Sequence, residues 1–135
     1  MLKGIPSLLT PELLKILMEM GHGDELLICD GNYPKFGCPE RCVRLDGHGI
    51  PEILDAILKF FPLDPYVENP TVLMAVLPDD PYKPEIWETY REIGNKYEKK
   101  ACGKQRSRRR NSIPAERNVT PVSLPARKRC MRISS

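Results

Sequence analysis

The first 93 residues alternate between apolar residues at helical spacing and short unbroken apolar runs, a pattern that few folds can accommodate. Residues 10–21 predict a helix, with Thr10 as its N-cap and Gly21 suited to a left-handed C-terminal cap. Residues 26–29 follow as an apolar run between charged residues, which is typical of a strand buried on both faces. Helices packed against a sheet would bury both kinds of segment.

The rest of this region continues the alternation. Residues 41–46 predict a second strand after a loop rich in glycine and proline, and residues 71–77 predict a third. Residues 51–61 have apolar side chains at helical spacing, and residues 84–93 predict the start of a third helix. The resulting order of helix, strand, strand, helix, strand and helix favours a layered α/β domain over residues 1–93.

Charge divides the chain near residue 94. Residues 1–93 carry 8 Lys or Arg and 16 Asp or Glu, a net of −8, whereas residues 94–135 carry 13 against 2, a net of +11. Residues 101–135 contain no aromatic residue, so they bury too little apolar surface to offset the entropy of ordering them, about 1 to 2 kcal/mol per residue for the backbone. We therefore expect one domain over residues 1–93 and a basic, disordered tail over residues 94–135.

Cysteine usage and hydropathy indicate a cytoplasmic protein. Five cysteines without framework spacing favour reduced thiols over a disulfide scaffold. No run approaches the roughly twenty apolar residues that span a bilayer, and charged residues interrupt the N-terminal segment, so we expect neither a membrane partner nor a secretory leader. Cys38 and Cys42 offer an alternative as a zinc site, which we disfavour because a second paired cluster is lacking.

The densest polar cluster lies between the first helix and the first strand, at residues 21–25, Gly-His-Gly-Asp-Glu. A histidine between glycines is sterically open, and histidine titrates near neutral pH, which suits a residue that gives and takes a proton. Asp30 follows the buried strand, where α/β folds tend to place ligands. The structural alternatives are that His22 is a surface histidine in a glycine turn and that Asp30 caps the following loop.

Three other residues look functional in isolation but have simpler interpretations. His48 also lies between glycines, and we interpret it as a loop histidine. Trp87 and Tyr90 are spaced for one face of a helix, and we interpret them as packing residues, with stacking on a sugar as the alternative.

Several short motifs occur in the order found in one enzyme family. They are Pro11-Glu-Leu-Leu, Met20-Gly-His-Gly-Asp-Glu, Asp30-x-Asn-aromatic-Pro, Arg44-x-Asp-Gly and Pro62-Leu-Asp-x-Tyr. On these motifs the first 93 residues resemble the RbsD/FucU family of fucose mutarotases and ribose pyranases. The resemblance implies a three-layer α/β domain with a mixed sheet.

The resemblance also implies an activity. The family's enzymes are cofactor-free isomerases that interconvert the α and β anomers of a free monosaccharide, here L-fucose by similarity, and some members act as D-ribose pyranases. By the same resemblance His22 is the proton donor, Asp30 and Asp64 bind sugar hydroxyls, and no metal ion takes part. Relatives assemble as homo-oligomers, so we expect the same of this chain.

The resemblance ends near residue 93. Members of the family continue with a Phe-Tyr-Glu-Arg-Ala motif and a Tyr-Gly-Asn stretch whose side chains bind the sugar, and neither motif occurs here. A C-terminal part that is truncated or replaced predicts weak or absent activity. The alternative function is an inactive family variant that acts as an interaction or regulatory subunit, with the basic tail binding acidic partners. Nucleic acid is disfavoured as a partner, because no aromatic residues interleave the Arg-rich runs.

Overall fold

The computed structural model describes residues 2–31, 42–66, 70–73, 85–98, 119–124 and 131–134. These residues form three helices and five strands, named here in chain order: α1 (Pro11–Glu19), β1 (Glu25–Asp30), β2 (Val43–Arg44), α2 (Ile50–Leu58), β3 (Thr71–Leu73), α3 (Ile86–Tyr97), β4 (Val119–Leu124) and β5 (Met131–Ser134). The predicted order of the first six elements is confirmed.

Helix α1 begins as its sequence predicts and ends differently. Thr10 is the N-cap, and its Oγ1 accepts a hydrogen bond of 3.2 Å from the backbone N–H of Leu13. The C-cap is Met20, in extended conformation, and its N–H donates to the carbonyl of Ile16. The prediction of a left-handed cap at Gly21 is therefore wrong: the positive φ, +89°, lies two residues later at Gly23, because the chain makes a turn there before entering β1.

The five strands form one mixed sheet in the order β2-β4-β1-β5-β3, with β1 at its centre. Strand β1 runs parallel to β4 and antiparallel to β5. Leu26 and Ile28 belong to the hydrophobic core that the helices also enter, and Leu27 and Cys29, which alternate with them, are buried as well. Burial on both faces of β1 confirms the prediction from its unbroken apolar sequence.

Strands β4 and β5 come from the region beyond residue 94, for which the composition predicts disorder. Residues 119–124 pair with β1 and β2, and residues 131–134 pair with β1 and β3. In these two stretches the structure differs from that prediction. Their local sequences, Val-Thr-Pro-Val-Ser-Leu and Met-Arg-Ile-Ser, contain β-branched residues that a composition averaged over the whole basic region hides. The other residues of the predicted tail beyond Glu98 lie outside the described residues.

The remaining strands and the last helix have bounds that differ from the predicted ones. Strand β2 is limited to Val43–Arg44, and β3 to Thr71–Leu73, with residues 74–77 of its predicted extent outside the described residues. Helix α3 continues to Tyr97 and so passes the predicted boundary at residue 94. The division into a domain and a tail at that residue stays a prediction.

Helices α2 and α3 carry most of the remaining core. In α2 the buried side chains are Ile50, Ile53, Leu54, Ala56, Ile57 and Leu58. In α3 the buried side chains include Trp87 and Tyr90, which confirms their interpretation as packing residues. Burial of such side chains stabilises the fold by about 25 cal/mol per Å² of apolar surface removed from water. Phe61 and Leu63, in the loop that follows α2, belong to the same core.

A polar contact also ties α2 to α3. Asp55 Oδ1 accepts hydrogen bonds from Lys96 Nζ at 2.7 Å and from the hydroxyl of Tyr97 at 3.0 Å. The hydrogen bond from Lys96 lowers the pKa of the Asp55 carboxyl below its usual range, and the same bond raises the pKa of Lys96. Among the helices described here, none is long and apolar enough to cross a membrane.

Candidate functional site

A tight turn presents His22 between α1 and β1. The N–H of Asp24 donates to the carbonyl of Gly21 at 3.0 Å, and Gly23 occupies the third position of the turn with φ +89°. This is the pattern of a type II turn, which requires a residue without a Cβ at that position. Asp24 Oδ2 closes the turn from outside by accepting a hydrogen bond of 2.8 Å from the N–H of Gly21, so Asp24 serves the turn. His22 stands at the exposed corner.

Asp64 reaches the same place from the loop that follows α2. Phe61 and Leu63 are buried and anchor this loop, and Asp64 between Leu63 and Pro65 is itself 5% exposed. Its Oδ1 accepts a hydrogen bond of 2.8 Å from the N–H of Tyr66, two residues on, which is the contact of an Asx turn. The turn therefore fixes one oxygen of the carboxylate and leaves the other to face outward.

The two residues lie against each other. His22 Nδ1 is 3.7 Å from Asp64 Oδ2, with the His22 side chain 72% exposed and that of Asp64 4% exposed. This separation is longer than a direct hydrogen bond. An imidazole whose Nδ1 faces a fixed carboxylate has its other nitrogen available to a ligand. The structure thus brings together two of the three residues named from the sequence.

A cavity of about 600 Å³ opens beside this pair. Its size suits a small-molecule site, which usually encloses roughly 300 to 1,000 Å³. His22 and Asp64 form its polar end, and most of the remaining lining is apolar: Ile5, Leu14, Leu17, Met18, Met20, Phe60, Phe61, Pro62, Leu63 and Pro65, with Gly21 beside His22. Polar atoms are therefore concentrated where the histidine lies.

Asp30, the third residue named from the sequence, lies elsewhere. It is the last residue of β1 and is half-buried. It is not among the described residues that line the cavity. The structure therefore does not join Asp30 to the pair of His22 and Asp64.

Sequence reasoning missed Tyr66 as a member of the site. Its ring is 6.2 Å from that of His22, measured between centroids, and the two planes meet edge to face at 83°. It is also 89% exposed, which is unusual for a large aromatic residue held by a turn. The available signal was its place in the Leu-Asp-x-Tyr stretch. In an Asx turn the aspartate accepts a hydrogen bond from the residue two positions on, so Tyr66 lies next to the Asp64 carboxylate.

The remaining candidates lie outside this site. His48 is in a loop, as predicted, and its Nδ1 is 3.2 Å from Glu52 Oε2 in the first turn of α2. Cys42 is a half-buried free thiol, and Cys38, its companion in the zinc alternative, lies outside the described residues. Within the part of the chain that the structure describes, no group of three or more His, Cys, Asp or Glu is arranged to hold a metal ion.

Comparisons with known proteins find similar sequences and a similar fold. A sequence model of the RbsD / FucU transport protein family matches residues 3–113. The fucose mutarotase of Homo sapiens is 45% identical over 98 residues, which cover 68% of this chain and 64% of that protein. The fucose mutarotase of Danio rerio is 51% identical over 98 residues, or 68% of this chain and 63% of that protein. The chain thus spans less than two thirds of the length of these relatives.

The fold likeness extends further along the chain than the sequence likeness. The crystal structure of the fucose mutarotase from Streptococcus pneumoniae in complex with L-fucose superposes with a TM-score of 0.79 at 35% sequence identity. That superposition covers 99% of this chain and 97% of the other.

Proposed function

Because the chain belongs to the RbsD / FucU family, we propose that it is a cofactor-free sugar mutarotase that interconverts the α and β anomers of L-fucose. The observation that carries this proposal is the approach of His22 Nδ1 to the buried carboxylate of Asp64, 3.7 Å from Oδ2, at the polar end of an open cavity. The names of the relatives and the L-fucose bound to the similar structure supply the substrate.

Anomer exchange needs two proton transfers. A proton goes to the ring oxygen as its bond to the anomeric carbon breaks, and the anomeric hydroxyl loses a proton as the aldehyde forms. Rotation about the bond from C1 to C2 and closure in reverse then give the other anomer. No atom is gained or lost overall, so general acid and base catalysis suffices. A positioned acid or base typically accelerates a reaction by about 10² to 10⁴.

We assign the proton donor as His22. Its side chain is 72% exposed at the corner of a turn, so a sugar in the cavity can reach the imidazole. With Nδ1 towards Asp64, Nε2 is the nitrogen that meets the ring oxygen. The open geometry of the turn also permits the small ring movement that shortens the contact with Asp64 when the imidazole is protonated.

Asp64 and Asp30 would bind sugar hydroxyls. An ionised carboxylate is a hydrogen-bond acceptor with about four lone-pair sites. Asp64 can therefore accept a hydrogen bond from the N–H of Tyr66, face His22 and still accept a hydrogen bond from a sugar hydroxyl. By family resemblance Asp30, the half-buried last residue of β1, would bind a further hydroxyl. These assignments are the part of the proposal that rests on family resemblance.

We also propose a homo-oligomer in the cytoplasm. Leu2, Met18, Phe60 and Tyr66 are large apolar or aromatic residues on the surface, exposed by 72%, 86%, 46% and 89%, and contact with another copy would bury some of them. Cys29 and Cys42, neither of which is in a disulfide, suit a reducing compartment.

A second candidate function follows from the length of the match. The chain covers 64% of the human fucose mutarotase, and the Tyr-Gly-Asn stretch that family resemblance assigns to sugar binding does not occur in its sequence. An inactive variant would act as an interaction or regulatory subunit. Its basic region, net +11 over residues 94–135, would then bind acidic partners.

Exchange NMR on the anomeric protons of L-fucose tests the proposal. The wild-type chain should accelerate exchange, and His22→Ala should return it to the rate in buffer; D-ribose, measured in the same way, tests for pyranase activity. If the folded wild-type chain accelerates neither sugar, the mutarotase proposal is wrong and the interaction subunit is the better account. Circular dichroism of both proteins establishes that they are folded.

A further inference from the structure

Tyr66 is held beside the catalytic pair by its own backbone. Its N–H donates to Asp64 Oδ1 at 2.8 Å, and Pro65 stiffens the link between the two residues. The carboxylate that faces His22 therefore also sets the position of Tyr66. The backbone of Tyr66 therefore keeps a constant relation to the site.

The ring of Tyr66 does not take part in the core. It is 89% exposed, and the one ring contact described for it is the edge-to-face approach to His22, at 6.2 Å and 83°. One side of the ring thus meets the imidazole while the rest of its surface faces solvent. An aromatic side chain removes roughly 150 to 250 Å² of surface from water when it is buried. An exposed ring therefore leaves much apolar surface for a ligand to contact.

The polar groups at this end of the site recognise only part of a sugar. His22 and Asp64 can meet the ring oxygen and hydroxyls, but a 6-deoxy sugar also carries a methyl group and C–H bonds that these groups do not bind. We infer that the ring of Tyr66 forms the apolar wall that contacts the methyl-bearing edge of the sugar and so favours a 6-deoxy sugar over its 6-hydroxyl counterpart. This inference rests on the proposed function.

Met18 offers a rival wall. It lines the cavity, whereas Tyr66 adjoins His22 outside that lining, and it is large, apolar and 86% exposed. If the methyl group pointed into the cavity, truncating Met18 would change sugar preference and truncating Tyr66 would not. The two variants therefore distinguish the two orientations of the bound sugar.

Two measurements test the inference. The first compares kcat/KM for L-fucose and L-galactose, which differ by a hydroxyl on C6, in the wild type, Tyr66→Phe, Tyr66→Ala and Met18→Ala. We expect the preference for L-fucose to fall about fivefold in Tyr66→Ala and to persist in Tyr66→Phe and Met18→Ala, because the ring and not its hydroxyl meets the methyl group. An unchanged preference in Tyr66→Ala, or a loss confined to Met18→Ala, overturns the inference.

The second measurement does not depend on catalysis. Saturation transfer from aromatic protons to the methyl protons of L-fucose should be strong in the wild type, equal in Tyr66→Phe and weaker in Tyr66→Ala. Leu2→Ala, which removes an exposed apolar side chain that does not line the cavity, is the matched control and should leave the transfer unchanged. If the wild type binds L-fucose without accelerating exchange, the proposed function fails while this transfer still decides the role of Tyr66. Transfer that is absent in the wild type or unchanged in Tyr66→Ala contradicts it.

Discussion

The chain contains the tripeptide Gly-His-Gly twice, and the two copies have different surroundings. In the first, the glycine with positive φ is Gly23, after the histidine, and His22 projects from the turn towards Asp64. In the second, the glycine with positive φ is Gly47, before the histidine, and Gly49 is the N-cap of α2. The same three residues thus make two different turns.

The acid beside each histidine differs even more. His22 faces a carboxylate whose side chain is 4% exposed, at the end of a cavity, whereas His48, in the loop before α2, faces Glu52, which is 57% exposed in the first turn of that helix. A pair at the exposed start of a helix is screened by water and contributes little. What makes a histidine useful for chemistry is a buried, fixed carboxylate and room for a ligand, and the motif itself supplies neither.

The strongest way to break this comparison is to remove each histidine in turn. His22→Ala should lower the rate of L-fucose anomer exchange by about 10² to 10⁴, the contribution of a positioned acid or base, and His48→Ala should change it by less than about twofold. Exchange NMR on both variants measures the difference. Equal losses in the two variants would mean that the two turns are not distinct in function.

Exchanging the acids tests the same contrast at the carboxylate. Asp64→Asn keeps the size and can still accept the N–H of Tyr66, but it removes the charge beside His22. A fixed carboxylate beside the imidazole stabilises its protonated form, so without that charge exchange should slow about tenfold to a hundredfold, equivalent to roughly 1.4 to 2.7 kcal/mol in the barrier. Glu52→Gln is the control and should leave the rate unchanged. The comparison fails if the Glu52 variant loses as much activity as the Asp64 variant.

The turn that presents His22 has its own test. Gly23→Ala places a Cβ at φ +89°, which should destabilise the fold by about 1 kcal/mol and disturb the position of His22. Gly21→Ala is the matched control, because φ there is not positive and an added Cβ would lie 3.9 Å from Asp24 Oδ2, an ordinary contact. Urea denaturation of both variants measures the difference. A cost at Gly21 equal to that at Gly23 would rule out the described turn.

The smallest effect concerns the pH dependence of stability at the contact between α2 and α3. The hydrogen bond from Lys96 lowers the pKa of Asp55 in the folded chain, so its contribution is present above the unfolded value, near 3.8, and is lost as pH falls through the lower folded value. The raised pKa of Lys96 affects stability at high pH. The contribution of Lys96 to stability is lost as the pH rises beyond 10.5, through the higher pKa of the folded chain.

Asp55→Asn isolates this contact. The wild type should be slightly more stable than the variant between about pH 4 and 10, and the difference should vanish as the pH falls below about 4. Urea denaturation across this range measures it, with L-fucose exchange near neutral pH unchanged in the variant. A stability difference that does not shrink as the pH falls below about 3.8 would show that the carboxylate charge is not its source.

Much of the fold was predictable because the helices and the first strand follow rules that operate locally. Thr10 caps α1 through its own side chain. An unbroken apolar run such as that of β1 is typical of a strand in a sheet that is covered on both faces. Strands β4 and β5 were not predictable in this way. Their pairing with β1 depends on a template distant in sequence, and basic flanking residues dominate the local composition.

Two residues that meet at the candidate site could be named from the sequence, but their arrangement could not. Resemblance named His22 and Asp64 separately, but their approach depends on how the loop after α2 packs through Phe61 and Leu63. The ending of α1 was predicted wrongly because either Gly21 or Gly23 can take a positive φ, and only the hydrogen bond from Asp24 to Gly21 selects between them. Tyr66 was missed because nothing in the sequence shows that an aromatic side chain stays exposed.

The imidazole rings themselves give the most direct test, since the chain has only 2 histidines and each belongs to one of the two turns. Proton-carbon correlation spectra of the rings, recorded during a titration with L-fucose and assigned with His48→Ala, report each histidine separately. The account predicts that the sugar shifts the His22 signals and leaves those of His48 in place. Shifts confined to His48, or equal shifts at both rings, would contradict it.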